Sequence, residues 1–296
     1  MIDFLVWFFS GIVLAFRDIA VALSDPAAWL NWSDPEAMMR FIYYGASANL
    51  FFVVLVAVLI LTAIGIWKRG FMWAMVRGLE GFANVIGRTA AWAGLLMVLQ
   101  QILIIFLQRI FRVADITISP FGYEFTQDLS WYSEELKFYN AMVVCLCVTW
   151  TFVQGSHVRV DLVYSAVTYR TKRLIDMFGS LFFMLPMAGL IYFYSWFFMW
   201  RSLITPKVSA SDSLELLLRK SRIVKWNVET IGFSPNGFNA YFLFKILMVT
   251  FAILVFLQAI AFFYRSFLEY SEGEASEGKY LDRDSLGDDR PAAAAT

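Results

Sequence analysis

Apolar residues run along this chain in long, almost unbroken stretches, with the polar residues gathered between them. At 1.5 Å per residue, about 20 apolar residues in a helix cross the roughly 30 Å hydrocarbon core of a bilayer. Five stretches meet that length: residues 41–67, 89–107, 131–154, 174–200 and 241–264. The pattern therefore predicts an all-α integral membrane protein, a bundle of five transmembrane helices with interfacial amphipathic helices. The number becomes six if residues 4–23 also cross. Arg17 and Asp18 interrupt that first stretch, and a helix lying in the interface suits it slightly better than a span. Trp67, Trp131, Tyr132, Trp196, Trp200 and Tyr241 fall at the ends of the stretches, where aromatic anchors meet the headgroups. Arg109 and Arg112 follow the second stretch, and Pro186 near the middle of the fourth predicts a kink that a bundle tolerates.

Between these stretches charged residues fall among the apolar ones. Residues 70–87 carry Arg77 and Glu80 among Phe71, Met72, Trp73, Met75, Val76 and Leu79, which predicts a helix on the bilayer surface. In residues 209–226, Leu214, Leu217, Leu218 and Val224 recur at helical spacing beside Arg219, Lys220, Arg222 and Lys225, so a second interfacial helix is expected there. The C-terminal stretch from Ser271 is polar, acidic and tipped with alanine, a composition expected to stay disordered. The chain thus divides into an N-terminal extension (1–88), a four-span region (89–268) and an acidic tail (269–296). No internal repeat of the kind that marks many complete transporters is seen.

Composition narrows the function classes. Hydrophobic residues make up 60% of the chain, above the roughly 45–50% of an average soluble domain, and 24 basic residues balance 24 acidic ones. No basic surplus points to nucleic acid, so the expected partners are lipid and other membrane proteins. The single histidine, His157, is too few for the paired axial ligands of a membrane cytochrome, and no Cys/His cluster has metal-ligand spacing, so no cofactor or metal is expected. Cys145 and Cys147 are two apart within an apolar helix and point to different faces, which suits packing better than a disulfide. No Walker-type phosphate loop occurs, and the N-terminal residues lack the basic region and cleavage site of a cleavable signal. The chain is not expected to be an enzyme.

Ionisable residues inside a membrane are costly and are functional by default. Here the spans hold few: Glu134, Glu135 and Lys137 near the start of the third and Lys245 near the start of the fifth, shallow enough to snorkel. Glu134 and Glu135 also suit the positive end of a helix dipole, with Ser130 or Ser133 available as caps. Gln100, Gln101, Asn140 and Gln258 are neutral, and bonding between helices explains them better than a solute path. A chain so equipped is not expected to carry solute alone.

Three motifs point further. Trp131-Tyr-Ser-Glu134-Glu135-Leu136 opens the third span, Gly155-Ser-His157-Val-Arg159-Val-Asp161 closes it, and Arg170-Thr-Lys172-Arg173-Leu-Ile-Asp176-Met-Phe-Gly179 opens the fourth. Together they resemble the small membrane subunit, the DctQ type, of the tripartite ATP-independent periplasmic (TRAP) transporters. The resemblance runs roughly from residue 89 to 268 and includes Arg109 or Arg112 and the late Gln258; the two N-terminal segments and the long loop before the last span depart from a four-span family pattern. It implies a bacterial or archaeal inner-membrane complex. A large membrane subunit carries the solute, commonly a carboxylate, with sodium, and a periplasmic solute-binding protein delivers it. The small subunit braces the large one.

The resemblance singles out Trp131, Glu135, His157, Arg159, Asp161, Arg173 and Asp176 as family-motif or subunit-interface residues. The turn holding His157, Arg159 and Asp161 reads equally well as a contact with the large subunit or as a solvated loop at the membrane face. Lys and Arg are nearly balanced between the two sides, about 12 against about 11, so the placement of residues 155–173 and the tail in the cytoplasm follows from the resemblance. A membrane anchor or assembly subunit of another complex, with no part in transport, is the competing reading.

Overall fold

The structure is a computed structural model that describes residues 2–119, 122, 124–155, 166–219, 223–225 and 237–282. It is a multi-pass helical membrane protein with two short β-ribbons. Helix α1 (Ile2–Ser24) is followed by the short α2 (Ala27–Leu30) and α3 (Pro35–Tyr44), then by α4 (Ala48–Trp67), α5 (Arg69–Phe111), α6 (Leu129–Val153), α7 (Tyr169–Leu203), α8 (Leu214–Arg219) and α9 (Phe242–Glu272). Six of these, α1, α4, α5, α6, α7 and α9, are long and apolar enough to cross a membrane.

Local chemistry sets several of the boundaries. Asp34 accepts from the Glu36 backbone amide ahead of Pro35, and Ser47 accepts from that of Leu50, so two helices begin at an N-cap side chain. The helix α4 is apolar on all sides, as a span must be. In α7 the turn Ser180–Met184 is widened to π-helical geometry immediately before Pro186. Proline lacks an amide hydrogen and its ring crowds the carbonyl four residues back, here that of Phe182, and the wider turn absorbs both defects. Helix α9 stops at Gly273, whose φ of +88° an L side chain resists.

Three expectations meet a different structure. The surface helix of 70–87 and the span of 89–107 are one helix: α5 runs 43 residues without a break. That is about 64 Å, twice the hydrocarbon thickness. Its first half packs along the end of α9, where Met72, Trp73 and Val76 meet Ile260, Tyr264 and Leu268. Among the described residues of 209–226, helix is confined to α8; Ile223–Val224 instead pairs antiparallel with Ile204–Thr205, which satisfies the strand backbones directly. The acidic C-terminal stretch does not run free from its start, because α9 continues to Glu272 and residues 273–282 fold back onto the helices.

The bundle is centred on α9, which packs on α5, α6 and α7. At one end, Trp196, Trp200 and Leu203 of α7 enclose Met39 and Ile42 of α3, with the Trp196 indole donating to the Ile42 carbonyl at 3.0 Å. Helix α1 is the least embedded span. It leans on α4 through Ala15, Phe52 and Val56, and its Gly11 lets the Phe52 ring come against the backbone.

Candidate functional site

The helices α5, α6, α7 and α9 converge at one end of the bundle on a buried charged cluster. Arg265 of α9 grips Glu80 of α5 with both edges of its guanidinium, Nε to Oε1 at 2.6 Å and Nη2 to Oε2 at 2.5 Å. Such a fork-to-fork pair fixes orientation as well as distance. One helical turn on, Glu269 accepts from Arg265 Nη1 at 3.5 Å and is ion-paired with Arg173 Nε of α7 at 2.9 Å. Arg173 continues to Glu277 at 2.8 Å and to Asp176 on its own helix at 3.4 Å. Arg173, Arg265, Glu80 and Glu269 are all nearly excluded from solvent.

The segment after Gly273 closes this end. The Gly278 amide donates to Glu269, Arg265 donates to the Lys279 carbonyl, and Trp73 of α5 donates its indole hydrogen to Glu272 at 2.9 Å. Tyr280 stands edge-on to Trp73, and the Arg77 guanidinium lies 4.8 Å from the Tyr280 ring. Asp282 then accepts from Asn84 and Arg88, while its carbonyl accepts from Gln154 of α6. A cavity of about 540 Å³ lies beside the cluster, bordered by Phe152, Gly155, Tyr169, Arg173, Gln258 and Arg265.

Asp282 is held below the ordinary aspartate range, first by the Arg88 hydrogen bond and then by that from Asn84. A carboxylate lowered in this way adds stability above its unfolded value, near 3.9, and loses it as pH falls through the folded value. Both partners are largely solvated, so the contact is worth at most about 1 kcal/mol. We expect Asp282→Asn to raise tryptic cutting at Lys279 by up to about fivefold at neutral pH, and the difference from wild type in thermal unfolding midpoint to start shrinking only below pH ~4 and to vanish once Asp282 is protonated in the folded protein.

A second polar site occupies the opposite end of α5 and α6. Gln100 donates to the Tyr132 carbonyl and to Glu135, both at 3.1 Å. Trp131 reaches Asn239 at 3.4 Å and packs against Phe125 and Phe238. Glu134 is buried and accepts from the Phe238 amide at 2.8 Å, across to the chain ahead of α9. A β-carbon on Gly237 would meet that carboxylate, so the close approach needs glycine. Because the helix starts at Leu129, Glu134 falls in its second turn, past the reach of the helix-dipole expectation, and it serves a tertiary contact instead. The Ser133 hydroxyl donates to the Leu129 carbonyl instead of capping.

The motif residues are therefore divided in space. Arg173 and Asp176 share the charged cluster, Trp131 and Glu135 share the other end, and His157, Arg159 and Asp161 lie outside the described residues. Sequence reasoning did not find Glu80, Arg265 and Glu269 as a site. Two signals were present: Arg265 and Glu269 stand at i and i+4 on an apolar helix, and Glu80 stands alone among apolar neighbours. Gln100 bonds between helices as expected; Gln258 is buried, with its Oε1 unpartnered; Gln101 and Asn140 face outward.

Residues 121–216 match the family model described as Tripartite ATP-independent periplasmic transporters, DctQ component. That interval holds α6, α7 and the first residues of α8 and all three motifs quoted above, and it bears out the resemblance they carry. The search of curated proteins and the search of solved structures each gave no match.

Proposed function

We propose, from that DctQ-component match, that the chain is the small permease subunit of a TRAP transporter and acts as a scaffold for the large transport subunit. The match over residues 121–216 is the observation that carries this reading. The complex belongs in a bacterial or archaeal inner membrane, takes up carboxylate-type solutes with sodium, and receives them from a periplasmic binding protein. The chain itself is not an enzyme.

The disposition of charge supports a bracing role. Solute and ion sites in membranes need charges or unwound backbone near the midplane. Here Glu80, Arg173, Arg265 and Glu269 bind one another at one end, and Glu134 and Glu135 bind backbone and amide groups at the other. Charges satisfied within the chain tie four helices and the C-terminal segment into one body. A rigid body of this kind can fix a partner's position in the bilayer. Residues 155 and 169–173 lie with residues 265–282 at the charged end, which we place on the cytoplasmic side.

The test is uptake in liposomes. The chain alone should give no saturable, sodium-driven carboxylate uptake, which should appear when the large subunit and the binding protein are added. Saturable uptake by the chain alone would overturn the scaffold reading.

A further inference from the structure

Four polar residues that sequence places within the spans of α5 and α6 face outward. On α6, Ser133, Lys137 and Asn140 are exposed at i, i+4 and i+7, which puts them on one helix face, and Val144 continues that face. On α5, Gln101 is exposed beside Gln100, which turns inward to Glu135. The two helices run antiparallel in close contact, with Gly87 against Trp150 and Gly94 against Val143. Gln101 consequently lies at the level of residues 132–136, and the polar face descends from the Trp131 end toward the middle of α6.

Asn140 is decisive. It is the twelfth of 25 residues in α6, one turn or about 5 Å beyond Lys137, and residues 141–153 that follow it carry no charge. An asparagine side chain lacks the long stem by which Lys137 can snorkel to the headgroups. Neither Asn140 nor Gln101 has a hydrogen-bond partner among the described residues. An amide left unbonded in hydrocarbon is costly, and helices in membranes associate by bonding such groups to each other.

We infer that this face of α6, with Gln101 of α5, is the seat of a transmembrane helix of another protein, one that presents hydrogen-bonding side chains to Asn140 and Gln101. The inference rests on the proposed function, under which that helix belongs to the large transport subunit. The occupant has to supply donors and acceptors at two depths, near residue 135 and near residue 140, so its polar residues fall about one to two turns apart.

The test uses the full chain co-expressed with the large membrane subunit and purified through a tag on the large subunit. Recovery of the unaltered chain is the reference, and its failure to co-purify would defeat the proposed function itself. Given co-purification, Asn140→Leu should lower recovery roughly threefold and the Asn140→Leu/Gln101→Leu pair roughly tenfold, the scale of one and two interhelical hydrogen bonds in a bilayer. Leu99→Ala, on a different exposed face of α5, should leave recovery unchanged. Folding is controlled by a second variant: Asn140→Cys in a chain with Cys145 and Cys147 replaced by serine should cross-link to the large subunit. Unchanged recovery of the double variant, cross-linking to a second copy of this chain, or no cross-link in a complex that still co-purifies would each overturn the inference.

Discussion

Arg265→Ala should destabilise the protein by about 3–5 kcal/mol, because it removes the cation that grips buried Glu80 and one of the two that face buried Glu269. The loss should appear as a large fall in the midpoint of thermal unfolding in detergent, together with release of residues 273–282 to protease. Arg265 also donates to the Lys279 carbonyl and lies 5.6 Å from the Trp73 ring, so one substitution loosens α5, α9 and the C-terminal segment at once. Lysine should rescue little, since an ammonium cannot grip both Glu80 oxygens in one plane. The paired change Arg265→Met with Glu80→Leu should recover much of the loss, because an apolar pair avoids the desolvation of two charges. An Arg265→Ala protein that melts with the wild type would mean that water reaches this cluster freely.

The second large effect is steric. At Gly87 an added β-carbon would collide with the Trp150 side chain, and the Cys147 thiol already donates to the Gly87 carbonyl at 3.4 Å. Gly87→Val should therefore force α5 from α6 along their main interface and cost about 1–3 kcal/mol or more, the range of overpacked cores. Small residues permit such close helix approach in membranes. Gly94→Ala is the control: its β-carbon would come 3.8 Å from Val143, an ordinary contact, so the melting temperature should hold or rise slightly. Equal losses at both glycines would indicate helix backbone effects rather than the Trp150 contact.

Both experiments probe contacts that lie far apart in sequence, and there the limit of sequence reasoning falls. Spans are legible because crossing hydrocarbon is a local requirement: α4, α6 and α9 each carry enough consecutive apolar residues, and no distant partner alters that sum. The motifs around Trp131, His157 and Arg173 were legible for the same reason, since each is a short string, and they coincide with the family match over residues 121–216. Length and hydropathy also left room for a sixth span, which Asp3–Ser24 fills on those two criteria.

What only the tertiary structure decided is where polar groups go once the helices pack. Arg77 and Glu80 look alike as surface charges in sequence, yet Glu80 turns inward to an arginine 185 residues away and Arg77 meets the Tyr280 ring. Gln100 and Gln101 are neighbours with the same side chain; the 100° between successive helical residues sends one to Glu135 and leaves the other exposed. The acidic composition from Ser271 onward predicts disorder, but residues 273–282 meet Trp73, Asn84, Arg88 and Arg265. Hydropathy fixes which segments enter the membrane because it is summed along the chain; the pairing of charges depends on which helix faces meet, a relation between distant segments that no local sum contains.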